Sequence, residues 1–221
     1  MLATQATHLT PTQRARRKRI LQATSDIVAV KGYEGMIMRD VAHRAEVSPT
    51  TLYNLYNTKD DLLLAALQQK IVVAWSKAAA LEPELGFSRI MLQNELSVAE
   101  TTEQPEFARA ITRVLYRARQ GDQITQVLIS ESERALEESL QMMSVSGQLN
   151  CPDMRWLSRN LVRSFWGHYF AWSSDLLQLD HLAAEIERSY LLHFLPFAQG
   201  NLAQQLRSRL LELTRLAYEI A

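Results

Sequence analysis

From Thr10 to Lys31 the residues Ile20, Ala23, Thr24, Ile27 and Val28 recur every three or four positions, the spacing of one helical face. Thr10-Pro11-Thr12-Gln13 stands ahead of them. This supplies a capping hydroxyl, a proline suited to the first helical position and a glutamine at the third, so a helix is predicted from Pro11 to Lys31-Gly32. Beyond the Gly32-Tyr33-Glu34-Gly35 break, Met38, Val41, Ala42 and Ala45 mark a short second amphipathic helix. A turn at Glu46-Val47 ends it, and Ser48-Pro49 caps and opens a third. That helix runs only to Asn54–Tyr56, because Asn57 and Thr58 form the next cap. Thr58-x-x-Asp61 then leads a long run, Leu62, Leu63, Leu64, Ala66, Leu67, Ile71, Ala74 and Trp75, which ends near Leu81-Glu82-Pro83.

Further helical segments are predicted at roughly 87–101, 105–119, 121–146, 152–177, 180–198 and 200–220. Pro105, Gly121, the Gly147–Pro152 stretch, Leu179-Asp180 and Gly200 separate them. Seven glycines and six prolines in 221 residues are about half the usual share. The predicted class is therefore all-α.

An apolar content of 47% allows a substantial core. Net charge is zero but unevenly placed: residues 1–60 hold nine Lys/Arg against five Asp/Glu, and the balance reverses beyond. The basic end suits a polyanion. Cys151 is the one cysteine, so neither an intrachain disulfide nor a thiolate metal cluster can form. No apolar stretch reads as a signal peptide or a membrane span, so a cytoplasmic location is expected. Residues 1–9, small and polar, are read as a mobile arm.

Two short helices joined by a tight turn, the second opening with small hydroxylated residues, form a helix-turn-helix at about 37–56, and its second helix fits a DNA major groove. Thr50, Thr51, Tyr53 and Asn54 are the expected reading face: asparagine can bond adenine bidentately, threonine offers a hydroxyl and a methyl, and tyrosine suits a phosphate oxygen. Arg14, Arg16, Arg17, Lys18 and Arg19 form a basic cluster, and Lys59 opens the fourth helix; these would fix position on phosphates. A basic cluster alone is better read as a solvated helix face, and the motif that follows turns the reading to a phosphate clamp.

Residues Gln13 to Leu67 resemble the DNA-binding domain of the TetR family of bacterial regulators. The likeness is strongest in the gap-free string Arg39-Asp-Val-Ala-His-Arg-Ala-Glu-Val-Ser-Pro-Thr-Thr-Leu-Tyr-Asn-Leu-Tyr-Asn-Thr-Lys-Asp-Asp-Leu-Leu63. The resemblance implies DNA contacts from Arg17, Met38, Arg39, Ser48, Pro49, Thr50, Thr51, Tyr53, Asn54 and Lys59, with Val41, Leu52 and Tyr56 as local core. The chain departs from the common pattern at Met36-Ile37-Met38, where hydroxylated residues often stand, and at Asn54-Leu55, where a histidine or aromatic residue is frequent. Arg16-Arg17-Lys18-Arg19-Ile20-Leu21 and Gly32-Tyr33-Glu34-x-x-x-Met38-Arg39 are similar to regulators of sterol and lipid catabolism in that family. The implied organisation is a DNA-binding domain at 10–67 and a ligand-binding and dimerising domain at 68–221.

All four tryptophans and all six phenylalanines lie beyond residue 60. An aromatic-rich bundle can enclose a small hydrophobic or aromatic effector, and Trp75, Phe107, Tyr116, Trp166 and Tyr169 are candidate pocket walls, although aromatic residues at helical spacing are core more often than ligand walls. Segments 152–177 and 180–198 carry apolar residues on several sides, which either pair with a second copy to make a homodimer or bury everything within one subunit. Leu202, Leu206, Leu210, Leu213, Leu216 and Ala217 predict an amphipathic last helix. His168 and His193 lack metal-ligand spacing, and no phosphate loop or nucleophile elbow occurs, so no enzyme, metal or cofactor is expected. The expected function is a repressor that two reading helices anchor on a palindromic double-stranded operator, released when a ligand tilts the fourth helix. An activator, or a repressor that needs no ligand, uses the same fold.

Overall fold

The Thr10 hydroxyl accepts from the Gln13 amide at 3.2 Å while Gln13 Oε1 accepts from the Thr10 N–H at 2.8 Å, with Pro11 between them. This reciprocal cap starts α1, Pro11–Lys31, in a computed structural model that describes residues 9–117 and 123–220, with side chains except at 123–125, 127–128 and 216–220. The arm expected at 1–9 lies outside the described residues save Leu9, as do the break at Gly121 and the side chains of Leu216 and Ala217. Gly32 ends α1 at φ 66°. At Gly35 a Cβ would stand 2.4 Å from the Lys31 carbonyl oxygen, so only glycine lets the chain double back there.

Next come α2, Met38–Arg44, and α3, Pro49–Leu55, with Glu46 at φ 55° in the turn between them. Ser48 Oγ accepts from the Thr51 amide at 3.1 Å to cap α3. The Thr58–Asp61 pair caps α4, Lys59–Leu81, in both directions at 3.0 and 3.1 Å. Then follow α5, Phe87–Glu103; α6, Pro105–Arg117; α7, Gln123–Val145; α8, Met154–Ser173; α9, Leu179–Phe194; and α10, Gly200–Ile220. All ten regular elements among the described residues are helices, and the architecture is all-α as expected.

Two ends fall short of the predicted ones. α8 stops at Ser173, where the Ser174 amide donates to the Phe170 carbonyl, the Leu176 amide donates to the Ala171 carbonyl, and Asp175 turns left-handed. α9 stops at Phe194, after which the Asn150 amide donates to Phe197 O at 2.8 Å and the Gln199 amide to Gln148 O at 2.9 Å. In both places apolar residues continue after the backbone has left the helix, so periodicity overruns the true end.

The described chain forms two compact units. One comprises residues up to Ala74 together with Glu100–Glu131, the other Trp75–Ala99 with Ser132 onward. In the first, Ile20, Val28, Val41, Ala42, Leu52, Leu62 and Leu63 are fully or almost fully buried, and α1 packs on α2 and α6. Arg44 pairs with Asp26 at 2.8 Å and Lys31 with Asp40 at 2.8 Å, tying α1 to α2. In the second, α8, α9 and α10 pack in sequence around Leu157, Leu161, Trp172, Leu182, Ile186, Phe194 and Leu206. Arg209 of α10 grips Glu187 of α9 through two bonds of 2.7 and 3.0 Å.

Candidate nucleic-acid interface

The helix expected to read DNA, α3, is only seven residues long, and its orientation rests on Leu52, which is wholly buried. With Leu52 pointing inward, Pro49, Thr50, Tyr53 and Asn54 face solvent, and Tyr53 is 53% exposed. Ser48 is also exposed, but its hydroxyl holds the Thr51 amide and lies 2.8 Å from the Thr51 hydroxyl. Ser48 and Thr51 thus build the helix start, and Thr50, Tyr53 and Asn54 remain turned to solvent.

The start of α2 differs from the expectation for its side chains. Met38 is 7% exposed and belongs to the core beside Met36, whereas Arg39 is exposed. What Met38 can offer a phosphate is its backbone N–H in the first helical turn, where amides lack intrahelical partners. Arg17 is half-buried and near Tyr56, whose phenol pKa burial raises and the Arg17 charge opposes. Arg14, Lys18 and Arg19 are exposed, and Arg19 Nε also donates to the Ala45 carbonyl at 3.3 Å.

Lys59 is built into the domain more deeply than a phosphate clamp requires. Its ammonium donates to the Tyr33 carbonyl at 3.0 Å and the Met36 carbonyl at 3.4 Å, and lies 4.2 Å from the centre of the Tyr33 ring. The Tyr33 hydroxyl in turn donates to Asp60. The first turn of α4 therefore holds the 33–36 loop that delivers α2, and one ammonium proton remains for an anion. The trace of this role in the sequence is slight: an aromatic residue between two glycines, Gly32-Tyr33-Glu34-Gly35.

The candidate pocket residues divide between the two units. Phe107 is buried in the first, with the Lys70 ammonium 5.2 Å from its ring centre, and Tyr116 there is 48% exposed. Trp75, Trp166 and Tyr169 belong to the second. Trp166 and Tyr169 share an aromatic cluster with Phe165, at 4.8–5.6 Å between ring centres, and the Tyr169 hydroxyl donates to the Ser97 carbonyl at 3.1 Å.

No helix among the described residues is long and apolar enough to cross a membrane. Residues 20–66 match the sequence profile described as bacterial regulatory proteins, tetR family. The transcriptional repressor KstR of Mycobacterium tuberculosis is 33% identical over 131 residues, 56% of this chain and 60% of that protein. KstR of Mycolicibacterium smegmatis is 37% identical over 103 residues, 46% of this chain and 50% of that protein. The match thus spans between half and three fifths of these relatives. Among solved structures, FadR of Thermus thermophilus, a TetR-family repressor in complex with lauroyl-CoA, superposes with a TM-score of 0.63 at 17% identity over 80% of this chain and 92% of that one. FadR of Bacillus subtilis in complex with stearoyl-CoA gives 0.60 at 16% identity over 78% and 97%. These likenesses establish the fold.

Proposed function

We propose that this chain, whose residues 20–66 match the bacterial regulatory proteins of the tetR family, is a ligand-released transcriptional repressor with its DNA-binding domain in that part, acting in the cytoplasm as a homodimer on palindromic operator DNA. The observation that carries the reading is the capped helix α3, held by buried Leu52, which presents Thr50, Tyr53 and Asn54 outward. The basic surplus of residues 1–60 supports it by supplying the charge that a phosphate backbone needs.

A seven-residue helix reads too few base pairs for operator-level affinity, so two copies must act together, about 34–36 Å apart on successive major grooves. Apolar surface on α8 and α9 favours pairing: Phe170 and Leu192 are 41% and 52% exposed although Tyr169, Trp172, Tyr190 and Leu191 on the same helices are buried. A small hydrophobic effector in the aromatic second unit would shift the population of dimers away from the operator-compatible spacing. The KstR relatives are repressors, and the two FadR structures hold acyl-CoA, which makes a lipid-like effector the first class to screen.

Footprinting on the DNA upstream of the chain's own gene tests this. Two protected half-sites, centred one helical turn or a multiple of it apart, are expected. Uniform weak protection without half-sites would contradict operator recognition.

A further inference from the structure

The helix α3, Pro49-Thr50-Thr51-Leu52-Tyr53-Asn54-Leu55, contains no lysine, arginine, histidine, aspartate or glutamate. Leu52 is wholly buried, and at about 3.6 residues per turn Thr50 and Asn54 fall on the opposite side of the helix, four residues apart and both exposed. Tyr53 stands on one flank, also exposed. The Thr51 amide is held by the Ser48 hydroxyl, and the two hydroxyls lie 2.8 Å apart, so Thr51 belongs to the helix start. The cations of the motif stand on other helices. Arg39 opens α2, Arg44 at its end pairs with Asp26 at 2.8 Å, and Lys59 of α4 donates to the Tyr33 and Met36 carbonyls.

The edges of the bases in a major groove ask for different partners. Guanine offers two acceptors, which arginine or lysine satisfies, and cytosine an amino donor, which a carboxylate accepts. None of these side chains occurs on α3. Adenine offers an acceptor beside a donor, which a carboxamide matches because it has one of each. Thymine offers an acceptor beside a methyl group, and a threonine side chain carries a hydroxyl and a methyl to meet them. Asn54 thus fits adenine and Thr50 fits thymine, while the Tyr53 ring adds apolar surface of the kind that also suits a thymine methyl.

Resting on the reading of α3 as the helix that enters the groove, we propose that the base pairs it contacts are A·T pairs, with the Asn54 carboxamide on an adenine and the Thr50 methyl against a thymine 5-methyl. Side chains four residues apart on a helix are separated by about 6 Å and stacked base pairs by about 3.4 Å, so the two contacts fall within two steps of each other. Each half-site therefore holds a short A·T tract under α3. A guanine contact in the major groove falls to a side chain outside that helix, with Arg39 exposed at the start of α2.

The test uses the full chain and a pool of duplexes of randomised sequence. The wild type, Thr50→Ser and Asn54→Ala each select from the pool, and the enriched sequences are compared. Both residues are exposed, so the variants should melt as the wild type does. Positions whose base preference a variant loses are those α3 reads, and they should be A·T in both half-sites. The best wild-type duplex is then remade with deoxyuridine for one thymidine at a time, which removes only a methyl group. At the thymine that Thr50 meets, the wild type should bind about fourfold more weakly, while Thr50→Ser, without a methyl of its own, should bind both duplexes alike. Asn54→Ala should lose about tenfold at its adenine and accept other bases there. G·C pairs at the released positions, variants that select the wild-type sequence, or a uridine penalty that is absent or unchanged in Thr50→Ser overturn the inference and leave operator recognition standing. If the wild type enriches no sequence, the operator reading falls and this inference with it.

Discussion

Lys59 stands where a phosphate-binding cation is wanted, yet two of its three ammonium protons are committed to the Tyr33 and Met36 carbonyls. Its substitution should therefore act on the fold as well as on DNA. Lys59→Ala removes those bonds and the contact with the Tyr33 ring, a loss of about 1–2 kcal/mol, which for a chain of this size lowers Tm by roughly 2–8 °C. Thr50→Ala, at an exposed position of α3, should weaken specific DNA binding while leaving Tm within about 1 °C. Calorimetry beside a binding titration separates the two; an unchanged Tm for Lys59→Ala would show that the ammonium serves DNA alone. Met38 makes the complementary point: its spacing with Val41, Ala42 and Ala45 already put it on the apolar face, and it is the side-chain DNA contact implied by the resemblance that its buried position does not support.

At the scale of elements, what could be read locally was read closely. Thr10, Ser48 and Thr58 cap α1, α3 and α4 as their neighbours imply, because a cap is decided within four residues. What depended on partners distant in sequence was hidden: the Tyr33–Lys59 seat, the placing of Phe107 in the unit that holds the reading head, and Asn94 facing Tyr190. The α1–α2 clamp yields a pH prediction. Burial of Asp26 works against ionisation, but hydrogen bonds from Arg44 and Gln22 and the Arg44 charge outweigh it, so its pKa is depressed. A depressed carboxyl stabilises the fold above its unfolded pKa of about 3.9, and that contribution disappears as pH falls through the lower folded value. Asp26→Asn should therefore shift the urea midpoint downward at pH 7 and have little effect well below pH 3. An equal shift at both pH values would mean that the carboxylate charge plays no part.

At the scale of the molecule, affinity for an operator depends on two reading heads acting as one. Leu192→Arg places a charge on the proposed dimer face, so sedimentation should show monomers, and operator affinity should fall although α3 is untouched. A dimer that persists would move the interface elsewhere. The most direct test of the central claim is the affinity for the upstream DNA across a salt series, wild type against Tyr53→Ala/Asn54→Ala. The account predicts that wild-type binding weakens by about 0.9 log unit per phosphate contact for each decade of salt. The variant should keep most of that slope and lose roughly tenfold or more in preference for the upstream site over random DNA. The same affinity and preference in both proteins would contradict it, because α3 would then not be the helix that reads DNA.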